Sequence, residues 1–423
     1  MIRGRVAITV LIALVASSGR VSGADPLSGR APTHPSLAAA KLPELIPIAR
    51  FYADDRATWL YSISPDGKKL AWIGPWDLWT TAFFKVLGKE KVDRVRSPRR
   101  IDHLRWAEDS RTLLFFWDQD GDENYHLIAS DTERPEEPPR DLTPFGDVQV
   151  RLFQTFPRDP RHILVEHNRR DRSIFDLYRL DIRTGEEALV AENPGDVFAW
   201  ATDARGVVIA RQRRLERGRW SLEATAGGGK WVKPLSGDED EEITFEGHTG
   251  DPRFLLALSN HSRDRTALVR LDLTTGAQTV LYEDPHVDVT RVWIDETTHE
   301  LLAAQSWPDH PKLHSFHPGL RESLSSFRDP AAIDLLSWDR ARDTFTVYRA
   351  TDRSGHAVHL LERRRKRVAL LGRSGITEFE DLLSEQKPIR FASRDGLDIR
   401  GYLMIPKGTD GKNLPTVLRV HGG

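Results

Sequence analysis

Tyr61-Ser-Ile-Ser64-Pro65-Asp66-Gly67-Lys-Lys-Leu70-Ala-Trp72 alternates apolar and polar residues, turns, and alternates again. Pro65 and Asp66 suit a tight turn, and Gly67 relieves its backbone. The pattern recurs. Arg105-Trp106-Ala107 leads through a turn at Asp109 to Leu113, and Phe156-Pro157 through Asp159 to Ile163. Trp200-Ala201 leads through Asp203 to Val207, and His248-Thr249 through Asp251 to Leu255. Weaker copies run from Asp295 to Leu301 and from Asp339 to Phe345.

Aligned on the first turn residue, the copies start at 64, 107, 157, 201, 249, 295 and 339. A period near 45 residues, with several short strands per copy, is the signature of a β-propeller. Tyr178-Arg-Leu-Asp181-Ile-Arg-Thr184-Gly185 and Val269-Arg-Leu-Asp272-Leu-Thr-Thr275-Gly276 read as one hairpin placed two blades apart. Seven copies predict seven blades over residues 59–373. One blade cannot bury two apolar faces, so it stacks on its neighbours around a ring. Leu70, Leu113, Ile163, Val207, Leu255, Leu301 and Phe345 are the expected equivalent buried positions. Trp72, Trp106, Trp200, Trp293 and Trp338 fall on strands, where packing between blades is their expected role.

After the repeats the composition changes. Residues 374–387 form a linker, with weak helical character from Gly375 to Gln386. Residues 388–423 then read as the start of another domain. Pro388 to Pro406 is a hairpin about the Asp395-Gly396 turn. Thr416 to Val420 is an apolar third strand that expects cover on both faces. It runs into His421-Gly422-Gly423, which is similar to the strand and oxyanion loop that open an α/β-hydrolase core. The expected fold class is therefore all-β: a seven-bladed β-propeller followed by the opening strands of an incomplete α/β-hydrolase domain. No G-x-S-x-G elbow occurs in the 423 residues; Gly372-Arg373-Ser374 comes near, but Ile376 stands at the second glycine. No catalytic residue is assigned within this sequence.

Arg3 and Arg5, the apolar run Val6–Ala16, and Ser22-Gly23-Ala24 read as a secretory signal peptide over residues 1–24. Eleven apolar residues are too few to span about 30 Å of hydrocarbon. The expectation is export to the periplasm or beyond, with no membrane attachment after cleavage. Residues 25–58 are a leader and N-terminal segment. Net charge is −2, which gives no nucleic-acid footprint. The absence of cysteine excludes disulfides, thiolate metal sites and cysteine nucleophiles.

Two clusters invite a metal reading. Asp118, Asp120, Asp122 and Glu123 carry a glycine at loop position four rather than six, unlike an EF-hand. His310, His314 and His317 lie in a Pro-rich stretch without helical register. A solvated hairpin tip and a surface loop are the simpler readings, so no metal and no cofactor is assigned. The charge runs Asp238–Glu242 and Arg363–Arg367 read as decorated turns.

Three stretches together resemble the prolyl oligopeptidase family of serine peptidases, in its acylaminoacyl-peptidase and dipeptidyl-peptidase-like branch. They are Ser64-Pro-Asp-Gly67, the segment Asp118–Leu127, and Phe391 through Tyr402-Leu-Met-Ile-Pro406 to His421-Gly-Gly423. The resemblance implies a propeller capping a hydrolase domain, short peptides as substrates, and a Ser-His-Asp triad beyond Gly423. His421, Gly422 and Gly423 would be the oxyanion-loop region. The other reading is a stand-alone periplasmic propeller serving as a binding or scaffold module; it has no need of strands that end in His-Gly-Gly.

Overall fold

A computed structural model describes residues 41–52, 59–77, 79–119, 121–225, 230–327 and 331–420. The signal-peptide expectation and His421–Gly423 lie outside the described residues.

Seven antiparallel sheets follow one another in chain order. Blade 1 comprises β1 (Trp59–Ile63), β2 (Lys69–Trp76), β3 (Trp79–Val86) and β4 (Asp93–Arg94). Blade 2 comprises β5 (Asp102–Trp106), β6 (Thr112–Trp117), β7 (His126–Asp131) and β8 (Arg140–Asp141). Blade 3 runs through β9 (Val150–Thr155), β10 (His162–Asp171), β11 (Ile174–Asp181) and β12 (Glu187–Ala191). Blade 4 is β13 (Val197–Thr202), β14 (Val208–Arg214), β15 (Trp220–Ala224) and β16 (Val232–Gly237). Blade 5 is β17 (Ile243–His248), β18 (Phe254–Ser259), β19 (Ala267–Asp272) and β20 (Gln278–Tyr282). Blade 6 has three strands, β21 (Val289–Ile294), β22 (Leu301–Ser306) and β23 (Lys312–Ser315), followed by helix α2 (Pro318–Leu324). Blade 7 is β24 (Ala332–Trp338), β25 (Thr344–Thr351), β26 (Gly355–Glu362) and β27 (Arg367–Arg373). The first helix, α1 (Ile48–Tyr52), precedes the ring and meets the 3-10 turn Gly375–Phe379 behind it, with Arg50 stacked over Phe379 at 5.1 Å.

Each blade is continuous in sequence, so no strand is shared between the first and the last, and side chains close the ring. Ile63 N–H donates to Ser337 Oγ at 2.8 Å, and Thr346 Oγ1 donates to the Tyr61 carbonyl at 2.9 Å. Tyr61 Oη reaches the Leu371 carbonyl at 3.0 Å. Tyr61, Ile63 and Leu70 of blade 1 pack with Val358 and Leu360 of blade 7 in one apolar cluster. Gly67 sits at φ 71°, and a Cβ there would come within 2.8 Å of Asp339 Oδ2. The glycine thus serves both the turn and the close approach of blade 7.

The core lies between blades, and the buried repeat position is the second residue of each blade's second strand. Leu70, Leu113, Ile163, Leu255 and Phe345 are all buried there. Two of the expected positions are corrected. Val207 is 45% exposed, and the buried residue of blade 4 is Ile209. Leu301 is only half-buried, and Leu302 is buried in its place. The physical reason is a β-bulge in both blades. Thr202 pairs with Val208 and Ala201 with Ala210; Ile294 pairs with Leu301 and Trp293 with Ala303. Ile209 and Leu302 are the extra residues of these bulges, which shift the buried position along the strand, and Val207 itself lies in the turn before β14.

The tryptophans largely pack. Trp106, Trp200 and Trp293 are buried; Trp72 and Trp338 are half-buried. Trp106 Nε1 donates to Ser62 O at 3.0 Å, across the boundary between blades 2 and 1. The two Thr-Gly hairpins occupy the same place in blades 3 and 5, between the third and fourth strands, with Gly185 at φ 79° and Gly276 at φ 77°.

Beyond the ring, β28 (Gln386–Ala392) and β29 (Asp398–Met404) form the expected hairpin, turning at Gly396 with φ 83°. The expected third strand at Thr416–Val420 does not form, and Leu418 and Val420 are 63% and 55% exposed. A strand needs a neighbour for its backbone groups, and among the described residues β28 and β29 pair only with each other.

Candidate functional site

The innermost strand of every blade faces a central channel with two different ends. At one end lie the turns between first and second strands, where the repeat was read. At the other lie the turns between second and third strands, and the β28–β29 hairpin is seated there. Asp309, between β22 and β23, receives Arg390 Nη2 at 2.7 Å and Arg400 Nη1 at 3.4 Å. Tyr402 Oη donates to the Asp309 carbonyl at 2.8 Å and accepts from Trp307 Nε1 at 2.8 Å. The Asp309 carboxyl is held below its usual range, first by Arg390.

An ion pair spans the channel near the end away from the hairpin. Arg105 of β5 meets Glu296, in the turn after β21, with Nη2–Oε2 at 2.5 Å. Thr155 Oγ1, at the end of β9, lies 3.0 Å from the same oxygen and 3.1 Å from Glu108 Oε1. Arg340 Nη2 contacts Glu108 Oε2 at 3.0 Å. Blades 2, 3, 6 and 7 are therefore tied to one another through the lumen. The Arg105 and Glu296 side chains are 43% and 49% exposed although blades surround them, so the water that reaches them is lumen water. Burial alone would raise the Glu296 carboxyl, but the Arg105 charge and hydrogen bonds from Arg105 and Thr155 outweigh it and lower the pKa.

Arg105 also separates two chambers. The far one, about 470 Å³, is bounded by Arg158, Trp200, Glu246, His248, His299 and Trp338 among others. The His248 and His299 rings lie 3.9 Å apart. Burial, and then His299, push the His248 imidazole down to about 4. Burial pushes the Glu246 carboxyl up to about 7 against the pull of Arg291. The near chamber, about 420 Å³, opens between blades 2 and 3 on the hairpin side.

The sequence-level candidates separate in space. Asp122 accepts from Gln119 N, Asn124 N and Asn124 Nδ2, and Asp118 accepts from Glu123 N, so these carboxylates are spent on shaping their own loop. Asp120 lies outside the described residues. His317 caps α2 by accepting from Leu320 N–H at 3.2 Å, while His314 stacks on Tyr282 at 4.5 Å. Among the described residues no three His, Asp or Glu side chains converge as a metal-binding group. Asp238–Glu242 lies in the connection between β16 and β17, and Arg363–Arg367 runs through the turn after β26 into the first residue of β27.

Two features escaped the sequence reading although a signal existed. The second turn residue of each copy rings the far mouth of the channel. That position holds Glu108, Arg158, Glu296 and Arg340 in blades 2, 3, 6 and 7, so an opposite-charge ring was readable from the aligned copies. An Arg–Asp pair also braces three blades at nearly constant spacing. The pairs are Arg111–Asp131 at 2.8 Å, Arg161–Asp181 at 2.5 Å and Arg253–Asp272 at 2.6 Å.

No family model matches the chain. In sequence it is similar to dipeptidyl aminopeptidase BIII of Pseudoxanthomonas mexicana, at 27% identity over 395 residues, covering 85% of this chain and 54% of the relative. The chain thus spans about half the length of that curated relative. In structure it is similar to prolyl oligopeptidase B from Galerina marginata, with TM-score 0.61, 11% identity, and coverage of 86% of this chain and 57% of that one. A puromycin-hydrolyzing peptidase of Mycobacterium tuberculosis gives TM-score 0.59 at 13% identity, over 87% of this chain and 62% of that one. The seven blades, with a hairpin seated at one end of their channel, match the propeller fold of these solved peptidases, and in sequence the chain is similar to a dipeptidyl aminopeptidase over 85% of its length.

Proposed function

We propose that this chain is the propeller-bearing portion of an exported serine peptidase that hydrolyses short peptides, with the propeller restricting access to the catalytic chamber. The observation that carries the reading is the spanned channel. Arg105 and Glu296 divide the lumen, so an extended peptide fits where a folded protein does not, and the end bearing β28–β29 stays open to a hydrolase domain. No nucleophile elbow occurs in the 423 residues, so on this reading the Ser-His-Asp triad is carried by sequence outside them. A serine there would attack the peptide carbonyl with a histidine as base. The loop His421-Gly422-Gly423 would lend a backbone N–H to the oxyanion.

Fluorophosphonate labelling and a peptide-hydrolysis assay on two forms test this. The 423-residue chain should neither label nor turn over. A form continued through the downstream reading frame should do both, favouring short peptides over folded proteins. Stoichiometric labelling of the 423-residue chain would reject the placement of the triad. Absence of labelling in the continued form would reject the peptidase assignment.

A further inference from the structure

A bulge interrupts the pairing of the innermost strand in every blade. Each extra residue lies shortly before the first turn residue of its repeat copy, so together they mark one level of the ring. Bulges re-aim side chains and concentrate next to functional sites. Among these extra residues Glu246 alone is acidic.

The neighbours of Glu246 fix where it points. Phe245 pairs with Ala257 and packs on the apolar cluster between blades 4 and 5. Gly247 pairs with Leu256 and turns the other way, since a Cβ there would lie 3.3 Å from Ile294 Cδ1 of blade 6. Glu246 stands between these two faces with no partner in β18, and it borders the far chamber. Among the described residues no hydrogen bond or ion pair engages its carboxyl. Burial works against its charge, and the cation that favours it is Arg291. Arg291 is itself spent: it pairs with Asp334, and its guanidinium lies 5.2 Å from the centre of the Trp293 ring.

The other charges of the chamber leave this carboxyl open to a cation. Arg105 and Glu296 satisfy each other. His248 and His299 are both pushed toward the neutral imidazole, first by burial. Arg158 follows the first turn residue of its copy and so stands at the far mouth, outside the level of the bulges. Phe153, Trp200 and Val292 contribute apolar wall. A long basic side chain can lay its methylene stem on such a wall while its charged head reaches the acid. A half-buried carboxylate without a partner is costly until a counter-charge arrives.

We propose that Glu246 binds the cationic head of a lysine or arginine side chain belonging to an elongated peptide held in the far chamber. The carboxylate pairs with the head, and the apolar wall takes the stem. A peptide engaged here lies on the side of Arg105–Glu296 away from the hairpin, so the site favours basic sequences at a distance from the hydrolase side. The biological use of the site rests on the peptidase reading above; the binding does not.

Calorimetric titration of the 423-residue chain tests this without hydrolysis. The probes are acetyl-Ala-Lys-Ala-amide and its norleucine analogue, blocked at both ends so that only the side-chain charge differs. At about pH 8 the lysine peptide should bind about tenfold or more tightly, the range of a charge-assisted contact. Glu246→Gln should abolish that preference while circular dichroism shows the fold intact. The preference should also fade near pH 5, where the carboxyl, raised to about 7, is protonated. Equal affinity for the two probes, or a preference that survives E246Q, overturns the proposal. Pentylamine that competes as well as the lysine peptide overturns the peptide assignment in favour of a small free amine. Ala-norleucine-Ala-amide with a free N-terminus, if it binds as tightly as the lysine probe, overturns the side-chain assignment in favour of an N-terminal ammonium. A continued form that fails to label with fluorophosphonate, while lysine-selective binding persists, would remove the peptidase reading and leave this site standing.

Discussion

Arg105 and Glu296 belong to blades 2 and 6 and are 191 residues apart in sequence, yet their side chains meet at 2.5 Å in the middle of the ring. The pair works as a tie rod. Moving either blade outward breaks it, and Thr155 and Glu108 link the same point to blades 3 and 7.

Because the pair is half-open to lumen water, its worth is modest. A double-mutant cycle with R105A and E296A should return a coupling of about 1 kcal/mol or less in urea unfolding, shrinking with added salt. Glu296 titrates below its unfolded value, so its contribution is present above the unfolded pKa and disappears as pH falls through the folded one. The coupling should therefore vanish in acid. A coupling unaffected by both salt and acid would contradict the solvated lumen.

Blade 4 offers a test of register. Ile209 is 1% exposed and Val207 45% exposed. I209A should cost about 2–4 kcal/mol in chemical denaturation, as a buried large-to-small change. V207A should cost less than about 0.5 kcal/mol. Reversed costs would mean that the bulge between Ala201 and Thr202 is misplaced.

Ring closure depends on Thr346, which is fully buried and donates to the Tyr61 carbonyl. Thr346→Val keeps the shape and removes the hydroxyl. It should destabilise the chain by about 1–3 kcal/mol, because a buried hydrogen bond across the seam is lost. Hydrogen exchange should accelerate first in β1 and β25. Uniform acceleration over all blades would argue against a local seam.

Glu246 and His248 give the far chamber opposed pH responses. Glu246 is raised from 4.5 to about 7, so its contribution to stability is full below the unfolded value and is lost as pH rises through about 7. His248 is lowered from 6.5 to about 4, so its contribution is present above 6.5 and lost as pH falls toward 4. E246Q should remove the first response alone. It should match the parent near pH 5 and exceed it by about 1–2 kcal/mol near pH 8. An advantage that is the same at both pH values would show that Glu246 does not titrate in this window.

Asp309 holds the hairpin to the ring. D309N weakens the acceptor for Arg390 and Arg400 while leaving the backbone carbonyl for Tyr402. Amide exchange in β28 and β29 should rise several-fold with the main melting transition unmoved, since an isolated two-stranded hairpin is marginal. An unchanged exchange rate would place the docking energy elsewhere.

The repeat spacing, the Asp395-Gly396 turn and the two Thr-Gly hairpins were legible because each rests on local chemistry. Turn residues and alternating patterns act over a few positions, and seven copies of one pattern can close only as a ring. The sequence also determined that 423 residues hold no nucleophile elbow and no thiol. It did not determine the buried repeat residue of blades 4 and 6, because the bulges at Ile209 and Leu302 depend on how two strands share their hydrogen bonds. Nor did it determine that Thr416–Val420 stays unpaired, since a strand is defined by its partner. The meetings of Arg105 with Glu296 and of Tyr61 with Thr346 were decided by tertiary structure alone. Those residues lie 191 and 285 positions apart, and only the closure of seven stacked sheets fixes the distance between them.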